Sequence, residues 1–290
     1  MTPGVHAAHE SWSLSVPVTL VLVLAAFTYL RGWVGLRRSV PRVISAWQLA
    51  TFISGLFALW IPVGSPLAAL DHHLLTVHMV QHILLMALAP PLILLGEPAL
   101  AFGQGLPQGL NRNVLGPIFR WPPFQRLGRI LTDPVFAWLA AAAALVGWHL
   151  PSAFQLGQSS TSWHEVQHAS FFITGLLFWW PVVQPWPSVA RWPRWRIPLY
   201  LFFATLPCDV LSAFLAFCDR VVYPSYLATP RLFNVSALED QECAAALMWV
   251  CATFIYLIPA VVVTIQLLSP RAAHPAEQAQ ADSRQIFSAN

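Results

Sequence analysis

Leu74–Leu95 reads LLTVHMVQHILLMALAPPLILL. It holds no charged residue, and its length suits the roughly 20 residues that carry a helix across about 30 Å of hydrocarbon. It shows none of the alternation of a barrel strand. A backbone in lipid must satisfy its own hydrogen bonds, so the stretch is read as a membrane-spanning helix. Six further runs share its character: Val16–Leu36, Val43–Val63, Pro134–Leu150, Trp163–Val183, Ile197–Cys218 and Gln241–Leu268, of which Pro134–Leu150 is the shortest. The composition agrees. With 57% hydrophobic and 9% charged residues among 290, the chain has too little polar surface to cover a water-soluble globule of that size. The expected fold class is all-α, a polytopic membrane bundle of about seven transmembrane helices.

The basic residues orient the bundle. All 15 are arginines. Arg31, Arg37, Arg38 and Arg42 lie at the end of the first run or beyond it, and Arg112, Arg120, Arg126 and Arg129 follow the third. Arg191, Arg194 and Arg196 follow the fifth, Arg271 and Arg284 the seventh, and only Arg220 and Arg231 fall on the other side. The positive-inside rule then places the N-terminus outside and the C-terminus in the cytoplasm. No basic residue precedes the first run, so it lacks the charged start of a cleavable signal peptide and reads as a retained anchor. The net charge of +3 comes from these loops, which excludes a nucleic-acid stripe and leaves the lipid bilayer as the obvious partner.

The expected organisation is an outer tail at 1–15, a seven-helix domain at 16–268 and a cytoplasmic tail at 269–290, rich in Ala, Gln and Ser and read as disordered. In the longest connection, Gly96–Asp133, the segment Ile118–Leu131 mixes Trp121, Phe124 and Leu127 with arginines and suits the lipid interface, although Pro122-Pro123 interrupts any long helix. The outer loop Arg220–Glu239 carries Tyr223-Pro224-Ser225-Tyr226, the mark of an ordered turn. Cys208, Cys218, Cys243 and Cys251 form no CxxC pair. Cys218 and Cys243 fall at outer helix ends where a disulfide would persist, but cysteine in an apolar helix reads first as a small packing residue.

Histidine is the exceptional residue. His78-Met79-Val80-Gln81-His82 and His164-Glu165-Val166-Gln167-His168 share the pattern H-x-V-Q-H near the outer ends of two helices. Residues four apart on a helix lie on one face about 6 Å apart, so each segment presents a stripe of two imidazoles. His149 ends the fourth run, and His72-His73 sit at the outer rim of the third. A single membrane histidine is ordinarily a hydrogen-bonding residue at a helix contact. Two matched pairs plus His149 are harder to treat so, because polar groups in hydrocarbon cost several kcal/mol unless paired.

Imidazole with available thioether suits copper. The candidate ligands are therefore His78, His82, His149, His164 and His168, with Met86 and Met248 as softer options. Methionine in a membrane helix is more commonly core than ligand. Asp240, Asp209, Gln81 and Gln167 are candidate orienting or proton-linked groups; Asp209 lies far enough from the interface to need a partner. Pro90-Pro91 removes the donors for the carbonyls of Met86 and Ala87, which is expected to kink the third helix below its histidines and make room for a cavity. A haem held by facing histidines, making the chain a membrane electron carrier, is an alternative. The segment from His164 to His168 also matches HExxH, the zinc-hydrolase pattern. Its counterpart has Met79 in place of the glutamate, no third ligand is recognisable, and Glu165 reads as an interfacial carboxylate.

From about Asp71 to Pro259 the chain resembles the CtaG family, the multi-spanning assembly factors for cytochrome c oxidase. The resemblance rests on landmarks in order: His78–His82 leading to Ala89-Pro90-Pro91-Leu92 and Gly96-Glu97-Pro98, Trp148-His149-Leu150-Pro151, then His164–His168 before Phe178-Trp179-Trp180-Pro181. Tyr223–Tyr226, Glu239-Asp240-Gln241 and Met248-Trp249 follow. Where small residues, commonly glycine, are expected after the Asp-Gln pair, this chain has Cys243-Ala244-Ala245. The resemblance implies a non-enzymatic role in maturing a haem-copper oxidase in a bacterial plasma membrane. It also implies that the role is exerted at the oxidase's copper centre, with the copper-containing core subunit as partner.

Overall fold

The computed structural model describes residues 15–39, 43–186, 192–231 and 233–269. The expected disorder of the C-terminal tail and nearly all of the expected outer tail, residues 1–14, fall outside the described residues. Among the described residues every regular element is helical. We number them α1 (Val16–Ser39), α2 (Ala46–Gly64), α3 (Leu75–Leu95), α4 (Pro98–Gly105), α5 (Pro122–Leu131), α6 (Pro134–His149), α7 (Pro151–Ser159), α8 (Thr161–Val183), α9 (Arg196–Phe217) and α10 (Ala237–Leu268). Short turns of 3-10 helix at Pro66–Leu70 and Pro224–Leu227 cap the end of the bundle that carries the histidines.

Among the described residues six helices, α1, α2, α3, α8, α9 and α10, are long and apolar enough to cross a membrane. With only 16 residues, α6 reaches about 24 Å at 1.5 Å per residue. It becomes a seventh span only together with α5, from which it is bent by 64°. The bend falls at Thr132-Asp133, where the Asp133 carboxylate accepts from the N–H groups of Val135 and Phe136 at 3.0 and 3.2 Å and starts the new helix. Most of the segment Ile118–Leu131 expected at the interface is α5: Arg126 and Arg129 interleave with Phe124, Leu127 and Ile130, which are exposed. Between the fourth and fifth runs the chain is not a loop: α7 fills most of the interval, begun by Pro151 at the first helical position.

Two contacts set α3 in the bundle. Tyr29 of α1 stacks on Phe52 of α2 at 3.8 Å, and its hydroxyl donates to the carbonyl of Gly96 at 2.6 Å, fixing the lower end. Higher up, Leu84–Leu88 widens into a π-helical turn, with the Ala89 N–H reaching the carbonyl of Leu84. This is the disturbance expected from Pro90-Pro91, whose missing N–H groups leave the ladder open. The widened turn is packed by α8. A Cβ on Gly175 would come within 2.6 Å of the Met86 carbonyl oxygen and 2.8 Å of Pro90 Cγ. Glycine is required because the two backbones nearly touch. On the other flank of α8, Trp148 of α6 donates to Ser170 at 2.7 Å. The helices that carry the histidines are thereby drawn into one packed group. All four cysteines are free, so Cys218 and Cys243 form no disulfide.

Candidate metal centre

The site begins where α3 begins. Leu74 at its N-cap has no side-chain oxygen to offer the first N–H groups. The carboxylate of Asp240, in the first turn of α10, supplies it: Oδ2 accepts from Leu75 N at 2.6 Å, and Oδ1 from Thr76 N at 3.1 Å and from Thr76 Oγ1 at 2.6 Å. One turn further on, His78 and His82 stand on the stripe that the helical period dictates, ring centroids 4.2 Å apart. His164 and His168 make the matching pair on α8 at 4.1 Å.

The two stripes meet. His78 lies 5.7 Å from His164, and His82 lies 6.3 Å from His168 and 5.4 Å from His149, all between centroids. Phe154 of α7 and Phe171 of α8 pack against His78 and His82 at 4.9 and 4.3 Å. At the rim of the bundle Asp71, only 1% exposed at its side chain, sets Oδ2 3.1 Å from His164 Nε2 and Oδ1 3.6 Å from His72 Nε2. Burial pushes the Asp71 carboxyl up, but its contact with His164 and the facing imidazoles of His72 and His78 outweigh this and hold it below the usual carboxylate value. One ligand atom from each of Asp71, His78 and His164 can be chosen so that all lie within 4.8 Å of one another.

A shell of neutral groups holds these side chains. Gln158 of α7 bridges His72 Nδ1 at 2.7 Å and the Tyr226 hydroxyl at 3.2 Å. Tyr226 donates to the Asp71 carbonyl at 2.8 Å, and Tyr223 to the His149 carbonyl at 3.0 Å. Burial raises the pKa of both phenols, which keeps them as donors. Gln241 fixes the loop that carries them, accepting from Val222 N at 2.8 Å and donating to the carbonyls of Leu215 and Arg220 at 3.1 and 3.2 Å.

His78, His82, His149, His164 and His168 are thus brought together in one cluster. The other sequence candidates are placed differently. Asp240 caps α3 and does not face an imidazole. Gln81 and Gln167 are buried with unpaired amides, Gln167 packing against Gly157 of α7. Asp209 lies part-way along α9 with Oδ1 unpaired, beside the Cys208–Ser212 contact rather than the cluster. Met86 and Met248 are buried in the apolar core. Among the described residues it is Met79 whose sulfur meets an imidazole, 3.3 Å from His149 Nε2. Sequence reasoning missed both Met79 and Asp71. An acidic residue next to His72-His73 at a helix entrance was a signal for the second; none marked the first.

The donors are imidazole, carboxylate and thioether, and several lack partners. His78 Nε2, both nitrogens of His82 and His168 Nε2 are buried without a hydrogen bond. A buried polar atom left unpaired costs about 1–3 kcal/mol, so such a set suits a bound cation.

Fold and site define an all-helical membrane protein with a histidine-rich centre at one end of its bundle. The chain belongs to the cytochrome c oxidase caa3 assembly factor family (Caa3_CtaG), whose pattern matches residues 27–269. Uncharacterised proteins of Mycobacterium bovis and Mycobacterium tuberculosis are each 23% identical to it over 97% of this chain and 42% of their own length. One of Mycobacterium leprae is 20% identical over 92% of this chain and 40% of its own. The chain spans less than half the length of these curated relatives. No solved structure matches it.

Proposed function

We propose that the chain handles copper for a haem-copper oxidase, taking the ion at the histidine centre and delivering it to the copper-containing core subunit. On this reading it lies in a bacterial plasma membrane with the N-terminus and the histidines outside and the C-terminus in the cytoplasm. The supporting observation is the set of buried imidazole nitrogens without partners beside a carboxylate and a thioether. Imidazole and thioether are copper ligands, and ligand atoms within 4.8 Å of one another need only a small contraction to hold an ion at about 2 Å. Copper here is cargo, and the role requires no turnover.

The competing chemistries fit less well. Rings spaced 4.1–6.3 Å apart, with Phe154 and Phe171 packed against them, suit an ion rather than a macrocycle. The cavities of about 1090 and 910 Å³ are lined by no histidine. In the HExxH segment Glu165 is exposed while Gln167 and His168 are buried, so the carboxylate that would activate water points away from the cluster.

A His78→Ala/His164→Ala variant in the native host tests the reading by oxidase activity and by the level of the variant in the membrane. The expected result is loss of active oxidase with the variant present, partly restored by added copper. Normal oxidase in that variant, together with a severe defect in Glu165→Gln, would overturn the proposal in favour of a hydrolase.

A further inference from the structure

His149 and Met79 form an arrangement that the outer group lacks. His149 Nδ1 lies 2.6 Å from the carbonyl oxygen of Leu145, one turn back on α6. A carbonyl only accepts, so Nδ1 carries the hydrogen and, in the neutral ring, Nε2 is a bare lone pair. That nitrogen faces Met79 Sδ at 3.3 Å, and a thioether has no hydrogen to offer. Two electron-rich atoms therefore confront each other where water has little access, His149 being 4% exposed and Met79 0%. The His82 ring stands 5.4 Å from that of His149 with both its nitrogens unpaired.

From this geometry we infer that His149, Met79 and His82 form a second metal station, separate from the Asp71, His78 and His164 group, and that copper(I) passes between the two along the paired histidines. The inference rests on the copper reading above and adds to it a second site and a direction. The outer group offers a carboxylate, a hard ligand, and the inner group a thioether, a soft one, so copper(I) partitions inward. The steps are short: 4.2 Å from the ring of His78 to that of His82, and 4.1 Å from His164 to His168. At each one a copper–nitrogen bond breaks as another forms. The ion stays copper(I), and no electron or proton is transferred.

The test uses the purified full chain, loaded anaerobically with copper(I), with copper counted per chain and sulfur ligation read by X-ray absorption. Wild type is expected to hold two ions and show a copper–sulfur shell. Met79→Leu, which nearly conserves volume, should hold one ion and lose that shell, while Met79→Cys keeps a soft sulfur and should retain it. Asp71→Ala should lose the outer ion and keep the sulfur signal, and Met86→Leu and Met248→Leu should change neither. A sulfur shell that survives Met79→Leu, a single ion in wild type, or loss of both ions in Met79→Leu would each overturn the second station while leaving copper binding in place. Wild type that binds no copper at all would overturn the copper reading itself.

Discussion

At the scale of the residue, Asp240 does its work across the bundle rather than within its own helix. Removing it in Asp240→Ala leaves the N–H groups of Leu75 and Thr76 without their acceptor. Loss of a helix cap costs about 0.5–2 kcal/mol. The variant should therefore melt at a lower temperature in detergent, and Asp240→Asn, which keeps one acceptor oxygen, should fall less. An unchanged melting temperature for Asp240→Ala would refute the cap. The sequence held a hint of this, because Leu74 cannot cap the helix it precedes. The five clustered histidines were legible because imidazole is costly in lipid and spacing by four fixes a shared face. Met79 was not legible: it lies one position from His78, about 100° around α3, and only the packing of α6 decides what stands on that side. Asp71 escaped notice because it lies outside the apolar run and reads as part of the rim.

At the scale of the element, the long helices followed from composition alone, since length and apolarity suffice to identify a span. The elements that the sequence left least defined are those whose form depends on their neighbours. Pro134–His149 is short for a span and is bent by 64° from α5, while α7 is a short helix held where Phe154 and Gln158, four residues apart, both turn towards the histidines. The opened turn at Leu84–Leu88 was foreseeable from Pro90-Pro91; its filling by Gly175 was not, because that contact joins residues far apart in the chain. Gly175→Leu should drive α8 from α3 at a cost of about 1–3 kcal/mol or more. The expected outcome is a lower melting temperature together with weakened copper binding, since both histidine pairs sit on the helices forced apart. Gly175→Ala should show the same change at smaller size. Wild-type copper binding in Gly175→Leu would show that the close crossing does not position the site.

At the scale of the whole molecule, the described arginines other than Arg220 and Arg231 lie at the end of the bundle away from the histidines. The proposed orientation predicts that reporters fused after Arg38, within 103–120 and after Arg194 report cytoplasm, whereas those at 66–71 and at Ser160 report the outside. A cytoplasmic result at Ser160 would put His149 and His164 on the wrong side for delivery to an outward copper centre. One feature of the assembled bundle also governs how it is born. The N–H groups that open α3 wait for a carboxylate 165 residues later in the chain. The hydroxyls that steady Asp71 and His149 arrive 155 and 74 residues after them. At a synthesis rate of about 5–20 residues per second, all five clustered histidines have been translated roughly 4–14 s before Asp240 appears. A nascent chain therefore carries every imidazole but no finished centre, and a version ending before Ala237 should bind no copper. On the copper reading proposed above, the order of synthesis would keep half-made copies from sequestering the metal.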